Sequence, residues 1–253
     1  MATYLDRILD AHRAAAAGRV ARVDEARTMA PARGFRAALA SSGPHVIAEV
    51  KRRSPSKGAL HPDLVPAVLA KSYAAGGASC LSVLTDVEFF GGSPEDLAES
   101  RAAVDLPVLR KDFTVCEADV ADARLMGADA VLLIAAALDD AELRAFHALA
   151  LEVGLDALVE VHDEAEVERA LAAGASLVGV NQRDLVTFEV DTDRAVRVAA
   201  AIPDTVVRVA ESGIRGADDA RRLRDAGYHA VLVGESLVTS PDPAAAVRGL
   251  RCS

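Results

Sequence analysis

Gly127-Ala128-Asp129-Ala130-Val131-Leu132-Leu133-Ile134 decides how the chain is read. A glycine is followed by a small residue, a polar one and then an apolar run of strand length. The same grammar returns in Gly77-Ala-Ser-Cys-Leu-Ser-Val-Leu-Thr85, Gly154-Leu-Asp-Ala-Leu-Val-Glu160, Gly174-Ala-Ser-Leu-Val-Gly-Val-Asn181 and Gly227-Tyr-His-Ala-Val-Leu-Val-Gly234. A glycine is expected just past a helix, because left-handed backbone there carries no Cβ penalty. Each copy therefore reads as helix end, turn, strand. Three more apolar runs lack the glycine: 46–50, 107–111 after Asp105-Leu-Pro107, and 206–210 after Pro203-Asp204. Eight strands alternating with helices, beginning near 46, 80, 107, 130, 156, 177, 206 and 230, imply a parallel sheet. Eight such units in about 210 residues match a (β/α)8 TIM barrel of the α/β class. A doubly wound sheet is disfavoured: no strand is followed by G-x-G-x-x-G or a Walker A pattern.

Upstream, residues 4–30 read as helix, with Leu5, Ile8, Leu9, His12 and Ala16 on one face. Phe35–Leu39 reads as a shorter helical piece stopped by Ser41-Ser-Gly-Pro44. The chain is thus expected to be one barrel domain, 1–253, with 1–45 as an N-terminal helical extension. Later helix starts are marked by Ser93-Pro94-Glu95, by a capping box at Thr114-Val-Cys-Glu117, by Asp139-Asp-Ala-Glu142 and by Pro241-Asp-Pro243.

The 253 residues are 51% hydrophobic with a formal charge of −10, which argues against a general nucleic-acid partner. No apolar run has the length of a membrane span. The N-terminus is amphipathic and Arg-rich, but Asp6, Asp10, Asp24 and Glu25 interrupt it as they would not a transit peptide. A reducing cytoplasm is the expected setting. Cys80, Cys116 and Cys252 are odd in number and far apart, so neither a disulfide framework nor a cysteine zinc site is expected. Glu160, His162 and Glu164 lie close together but straddle a strand end and a helix start, and no metal is expected there.

Barrel active sites lie at the C-terminal ends of the strands. In order, those ends carry Glu49 with Lys51, Thr85, Lys111, an apolar end near Ala135, Glu160, Asn181, Glu211 and Gly234. Six of the eight deliver a polar side chain to one mouth. Three carboxylates and two lysines held together should have their pKa values pushed apart, which suits general acid–base work. Only four of the 28 basic residues are lysines (Lys51, Lys57, Lys71 and Lys111), so this chain uses arginine where charge alone is wanted. A strand-end lysine can give up a proton, which a guanidinium essentially cannot. The turns Glu211-Ser212-Gly213 and Gly234-Glu235-Ser236 follow strands seven and eight, where barrels commonly bind phosphate. Phe89, Phe90 and Phe113 follow strands two and three and offer an apolar wall for a flat ring.

These residues resemble the indole-3-glycerol phosphate synthase family over nearly the whole chain. The carriers are Ile47-Ala-Glu-Val-Lys-Arg-Arg-Ser-Pro-Ser, Leu81-Ser-Val-Leu-Thr-Asp, Phe90-Gly-Gly-Ser, Pro107-Val-Leu-Arg-Lys-Asp-Phe113, Leu158-Val-Glu-Val-His162, Gly179-Val-Asn-Gln-Arg-Asp-Leu185 and Ala210-Glu-Ser-Gly-Ile214. The long helical N-terminus is similar to the family's extra helix over the mouth, and the length resembles that of monofunctional members. The resemblance implies a barrel acting on 1-(2-carboxyphenylamino)-1-deoxyribulose 5-phosphate without cofactor or metal: ring closure onto the ribulose carbonyl, loss of carbon dioxide, then loss of water. It implies Lys111 as the acid at the carbonyl and Lys51 as partner of the substrate carboxylate and a proton donor in dehydration. Glu160 would assist dehydration, Glu49 would hold Lys51, and Asn181 and Glu211 would orient substrate and lysines. Arg183 would brace the mouth. Phe90 and Phe113 would line the aryl pocket, and Ser54, Ser212, Gly213, Gly234 and the backbone of Glu235 would grip the phosphate. Many relatives have Gly-Ser where this chain has Gly234-Glu235, so the Glu235 carboxylate is expected to face outward, with Ser236 as a substitute hydroxyl. The partner is a small sugar phosphate, and a monomer is expected, with a weak dimer as the alternative. The residues alone also leave open a Schiff-base sugar-phosphate aldolase on Lys51 or Lys111, or a barrel that binds a metabolite without turning it over. The loop from Arg52 to Leu60 is expected to be mobile and to gate the site.

Overall fold

The computed structural model describes residues 3–251 except 42 and 56, so Cys252 and two of the quoted loop serines, Ser42 and Ser56, lie outside the described residues. Eight strands run parallel: β1 (His45–Val50), β2 (Cys80–Leu84), β3 (Val108–Lys111), β4 (Ala130–Ile134), β5 (Asp156–Val161), β6 (Leu177–Asn181), β7 (Val207–Glu211) and β8 (Ala230–Val233). They close into a barrel in sequence order, with β1 paired to both β2 and β8. The helices between them are α3 (Pro66–Gly76), α4 (Pro94–Ala103), α5 (Glu117–Leu125), α6 (Asp140–Glu152), α7 (Glu164–Ala172), α8 (Arg194–Val198) and α9 (Ala217–Asp225). After β8 come the short α10 (Glu235–Val238) and α11 (Pro243–Arg251). All five lead-in glycines, 77, 127, 154, 174 and 227, have φ between 82° and 92°, as the turn they end requires.

Strand parity divides the interior from the helix layer. Ile47, Cys80, Leu109, Ala130, Leu132, Ile134, Leu158, Leu177, Val207, Val209, Ala230 and Leu232 pack together inside the barrel. Their neighbours on each strand, such as Val46, Leu81, Val108, Val131 and Val159, pack against the helices. Phe35 and Leu39, both fully buried, join the interior cluster from the N-terminal segment and close the barrel floor. Burying a side chain of that size stabilises by about 2–3 kcal/mol.

The N-terminal segment departs from the single helix expected over 4–30. It forms α1 (Tyr4–Ala16) and α2 (Val23–Arg27), separated at Gly18, whose φ of 76° is left-handed. α1 opens with a capping box between Thr3 and Asp6, and its expected face, Leu5, Ile8, Leu9, His12 and Ala16, is the one turned from solvent. Phe35–Leu39 becomes a single 3-10 turn at Ala37–Leu39. The α5 cap is also corrected. Cys116, not Thr114, is the N-cap, and Asp119 rather than Glu117 completes the box. Asp119 accepts the N–H groups of both Val115 and Cys116, a bond that Glu117, in the first turn, does not make. Ser93 caps α4 as read, accepting from the Asp96 N–H ahead of Pro94.

Candidate active site

A cavity of about 780 Å³ opens at the C-terminal ends of the strands. Its deep wall is made by the parity that makes the core. Continuing the interior face of each strand by two residues brings Ile47 to Glu49 and Lys51, Leu109 to Lys111, Leu158 to Glu160, Leu177 by way of Gly179 to Asn181, and Val209 to Glu211. All six lie in that cavity. So do Ser54, Phe90, Phe113, Arg183, Ser212, Gly213, Gly234 and Glu235, so every residue the resemblance assigns a role lines this one space, whereas Phe89, read as part of the apolar wall, does not.

Thr85 is the exception among the strand ends. Cys80, Ser82 and Leu84 hold the interior parity of β2, which turns Thr85 outward. Its hydroxyl donates to Asp112 (2.5 Å) and accepts from Arg110 (3.1 Å), in the layer outside the barrel. For the same reason the apolar end of β4 in the cavity is Ile134, not Ala135.

Lys111 is the centre of the charged floor. Its Nζ lies 3.0 Å from Glu160 Oε2 and 3.5 Å from Glu211 Oε2. Asn181 donates to the other Glu160 oxygen (3.0 Å) and accepts from the Arg183 N–H (3.0 Å). The Arg183 guanidinium donates to the Phe188 carbonyl, tying down the loop after β6. Beside this group Lys51 Nζ and Glu49 Oε1 are 2.5 Å apart, and Ser82 reaches the second Glu49 oxygen at 3.4 Å. Burial alone would lower the Lys111 pKa, but the charges of Glu160, Glu211 and Glu49 reverse that and raise it. For Glu160 burial pulls upward, yet Lys111, His162 and Asn181 hold the carboxyl below its usual range. Glu211 goes the other way. Burial pushes it up to about 8 against the pull of Lys111, helped by the nearby charges of Glu160 and Glu49. The floor thus holds one ammonium, one firmly ionised carboxylate and one carboxyl that gives up its proton at a higher pH than a carboxyl ordinarily does. Glu211 Oε1 is buried and has no protein partner.

Two glycines make room for these carboxylates. A Cβ at Gly179 would meet Glu211 Oε1, and one at Gly234 would meet Glu49 Oε1, each closer than atoms can approach. The Glu211 shift has a consequence for stability. A folded-state pKa above the unfolded one means the folded state loses stability as pH rises from about 4.5 through about 8. Glu211→Gln removes that loss. Its melting temperature will exceed that of the parent at pH 9 and match it near pH 4.5, read by calorimetry across pH; an equal difference at both ends would contradict the assignment.

At the other end of the cavity, Ser212 has φ 66°, unusual for a residue with a Cβ, and Gly213 has φ 73°. Gln182 donates to the Ser212 carbonyl (2.8 Å) and Ser236 to the Ile214 carbonyl (3.0 Å), fixing the turn. The Ser236 proton is committed there, which argues against Ser236 as a substitute phosphate donor. Glu235 extends towards Lys57, 3.9 Å away across the rim, and is 44% exposed. Ser54 Oγ is buried without a partner in the same cavity. The loop expected to be mobile forms a hairpin of Arg53–Ser54 and Gly58–Ala59, held by Arg52 to Asp96 and by Arg53 to the Val87 and Glu88 carbonyls. Phe90 and Phe113 face each other with ring centroids 6.3 Å apart, next to Leu132 and Ile134.

Two histidines have partners that the sequence did not reveal. His162 shares parity with Glu160. Its Nε2 sits 3.7 Å from Glu160 Oε1 without a hydrogen bond, while Nδ1 meets Glu166 at 3.0 Å. The signal was the i, i+2 spacing, although the partner is Glu166 rather than Glu164. His12 of α1 meets Asp86 at 3.0 Å and lies 4.0 Å from Asp112, the grouping among the described residues with donor atoms close enough for a metal. Nothing local in sequence links residues 74 apart.

The fold is shared widely. Thiamine phosphate pyrophosphorylase from Pyrococcus furiosus superposes with a TM-score of 0.63 at 17% identity, covering 84% of this chain and 95% of that one. At that identity the likeness speaks to the fold alone. Sequence relatives are closer. A protein of Nocardioides sp. named indole-3-glycerol phosphate synthase is 59% identical over 214 residues, 85% of this chain and 81% of the relative. One of Mycobacteroides abscessus with the same name is 51% identical over 254 residues, 98% of this chain and 93% of the relative. The family model described as indole-3-glycerol phosphate synthase matches residues 5–250. With a match of that extent and relatives that share half or more of its residues, the chain belongs to the indole-3-glycerol phosphate synthase family.

Proposed function

We propose that this chain converts 1-(2-carboxyphenylamino)-1-deoxyribulose 5-phosphate to indole-3-glycerol phosphate, carbon dioxide and water. The observation that carries the reading is the Lys111–Glu160–Asn181–Glu211 cluster on the cavity floor, with an aromatic wall on one side and the Ser212–Gly213 turn on the other. The substrate is long enough to need all three. In this reading Phe90 and Phe113 hold the aryl ring, and Ser54, Ser212, Gly213, Gly234 and the Glu235 N–H hold the phosphate.

Lys111 donates its proton to the ribulose carbonyl oxygen as the aryl carbon attacks. Its position among three carboxylates keeps it charged until the carbonyl develops negative charge. Lys51 pairs with the substrate carboxylate; departure of carbon dioxide removes that charge and restores the aromatic ring. Dehydration then needs a base for the proton on the ring carbon and an acid for the hydroxyl. Glu160, held ionised, is the base, and Lys51 is the acid, oriented by Glu49. Asn181 and Glu211 orient Glu160 and Lys111. Arg183 braces the loop beside them.

The protein acts in the cytoplasm, as a monomer, on a small sugar phosphate. No described helix is long and apolar enough to cross a membrane. Incubation with the carboxyphenylamino sugar phosphate will produce indole fluorescence; folded protein that yields none would overturn the assignment. Borohydride added during turnover will leave the protein unlabelled, whereas a Schiff-base aldolase would be trapped through Lys51 or Lys111.

A further inference from the structure

We propose that His12 is a positioning residue for the aryl subsite, clasping in its protonated form the two loops that carry Phe90 and Phe113. The proposal rests on the reading above that these two rings hold the substrate's aryl group.

The geometry starts from two aspartates. Asp86, just past β2, accepts the N–H groups of Phe89 (2.6 Å) and Phe90 (2.9 Å) on Oδ1. Asp112, just past β3, accepts the Phe113 N–H (2.8 Å) on its own Oδ1. Each aspartate therefore fixes the backbone of one aromatic wall. His12 Nε2 faces both, 3.0 Å from Asp86 Oδ2 and 4.0 Å from Asp112 Oδ1. The imidazole also packs on the rings, 5.4 Å from Phe113 and 6.5 Å from Phe89 between centroids. One side chain of the N-terminal segment thus touches both loops through charge and through ring contact.

The surroundings make this a clasp rather than a cation site. Asp86 Oδ1 already accepts two N–H groups, and Asp112 Oδ2 already accepts from Thr85 and from Arg110 at 2.9 Å. The charged groups around His12 are Asp86 and Asp112, with Asp119 of α5 behind them. Arg110 is paired with Asp112, Arg19 with Asp119, and on its own helix Arg13 is turned to Glu142. Burial disfavours the imidazolium, but the hydrogen bond to Asp86 and the charges of Asp112, Asp86 and Asp119 raise the His12 pKa above its ordinary value. The sign follows. The clasp is complete below about pH 6.5 and is lost as pH rises through the raised folded value.

The test compares His12→Val, which removes the clasp, with His12→Gln, which keeps a donor of similar reach but does not titrate. In the parent, KM for the carboxyphenylamino sugar phosphate will rise with pH through the His12 pKa, located independently by NMR of ring-labelled histidine. In His12→Val, KM will be high at every pH, by about fivefold or more, the size of the smaller couplings between linked sites. In His12→Gln, whose amide is an uncharged donor like the neutral imidazole, it will stay near the parent's high-pH value across the range. The amide signals of Phe90 and Phe113 will titrate with the His12 pKa in the parent and lie flat in His12→Gln, a readout that needs no turnover. Equal KM in parent and His12→Val, or amide signals indifferent to His12, would overturn the proposal. Absence of product from the parent would sink the assigned reaction and leave the amide titration to judge the clasp.

Discussion

Lys111→Ala will lower kcat by about 10²–10⁴-fold, the usual share of a positioned general acid, with a smaller change in KM. Three buried carboxylates, Glu160, Glu211 and Glu49, raise the Lys111 pKa, and removing the ammonium leaves them facing one another. The cost to stability can be separated from the cost to chemistry by pH. Lower pH neutralises the stranded carboxylates, so the variant's melting temperature will recover towards that of the parent, while kcat will not. Lys111→Arg sharpens the point. It keeps the positive charge and the fold but cannot release a proton near neutrality, so its kcat will fall almost as far. Steady-state indole fluorescence and calorimetry decide the matter. Turnover in either variant within a few-fold of the parent would remove Lys111 from the acid role.

Glu160→Gln tests the partner. Its kcat will fall by about 10²–10³-fold if the carboxylate is the base in dehydration. A second effect is expected on the same variant. Glu160 is the largest of the charges that raise the Lys111 pKa, and it is 3.0 Å away. Without it Lys111 loses its proton more readily, and the alkaline limb of kcat/KM will move to lower pH. Asn181 remains to hold the glutamine amide, so the loss is one of charge more than of shape. A pH–rate profile with an unmoved alkaline limb would show that the two groups do not act as a pair, and undiminished kcat would take Glu160 out of dehydration.

Much of this was legible in the residues. Five glycines before apolar runs located five strands, and the three remaining strands followed from length and from prolines. The strand ends then gave Lys51, Lys111, Glu160, Asn181 and Glu211 together, because position along a barrel strand maps directly onto depth in the cavity. What failed was parity. Thr85 follows Leu84 by one residue, and a one-residue step turns a side chain to the other face. Reading Cys80, Ser82 and Leu84 as one set would have removed it. The break at Gly18 and the cap at Cys116 failed because local rules compete. A glycine inside an apolar periodicity can be tolerated or can end a helix, and Asp119 outcompetes Glu117 only because it accepts two backbone N–H groups. His12 was read correctly as lying on the buried face of its helix. Its partners could not be read, since Asp86 and Asp112 are brought to it by the closure of the barrel.

The plug of Phe35 and Leu39 has a consequence for traffic. With the far end filled, the cavity opens among the described residues at the C-terminal ends of the strands, and the proposed sugar phosphate enters by the same mouth through which the indole compound leaves. In the proposed binding mode the departing product keeps both the phosphate and the fused ring, and so would hold the same two handholds as the next substrate. The two cannot pass each other, and each turnover has to finish emptying the cavity before another can begin.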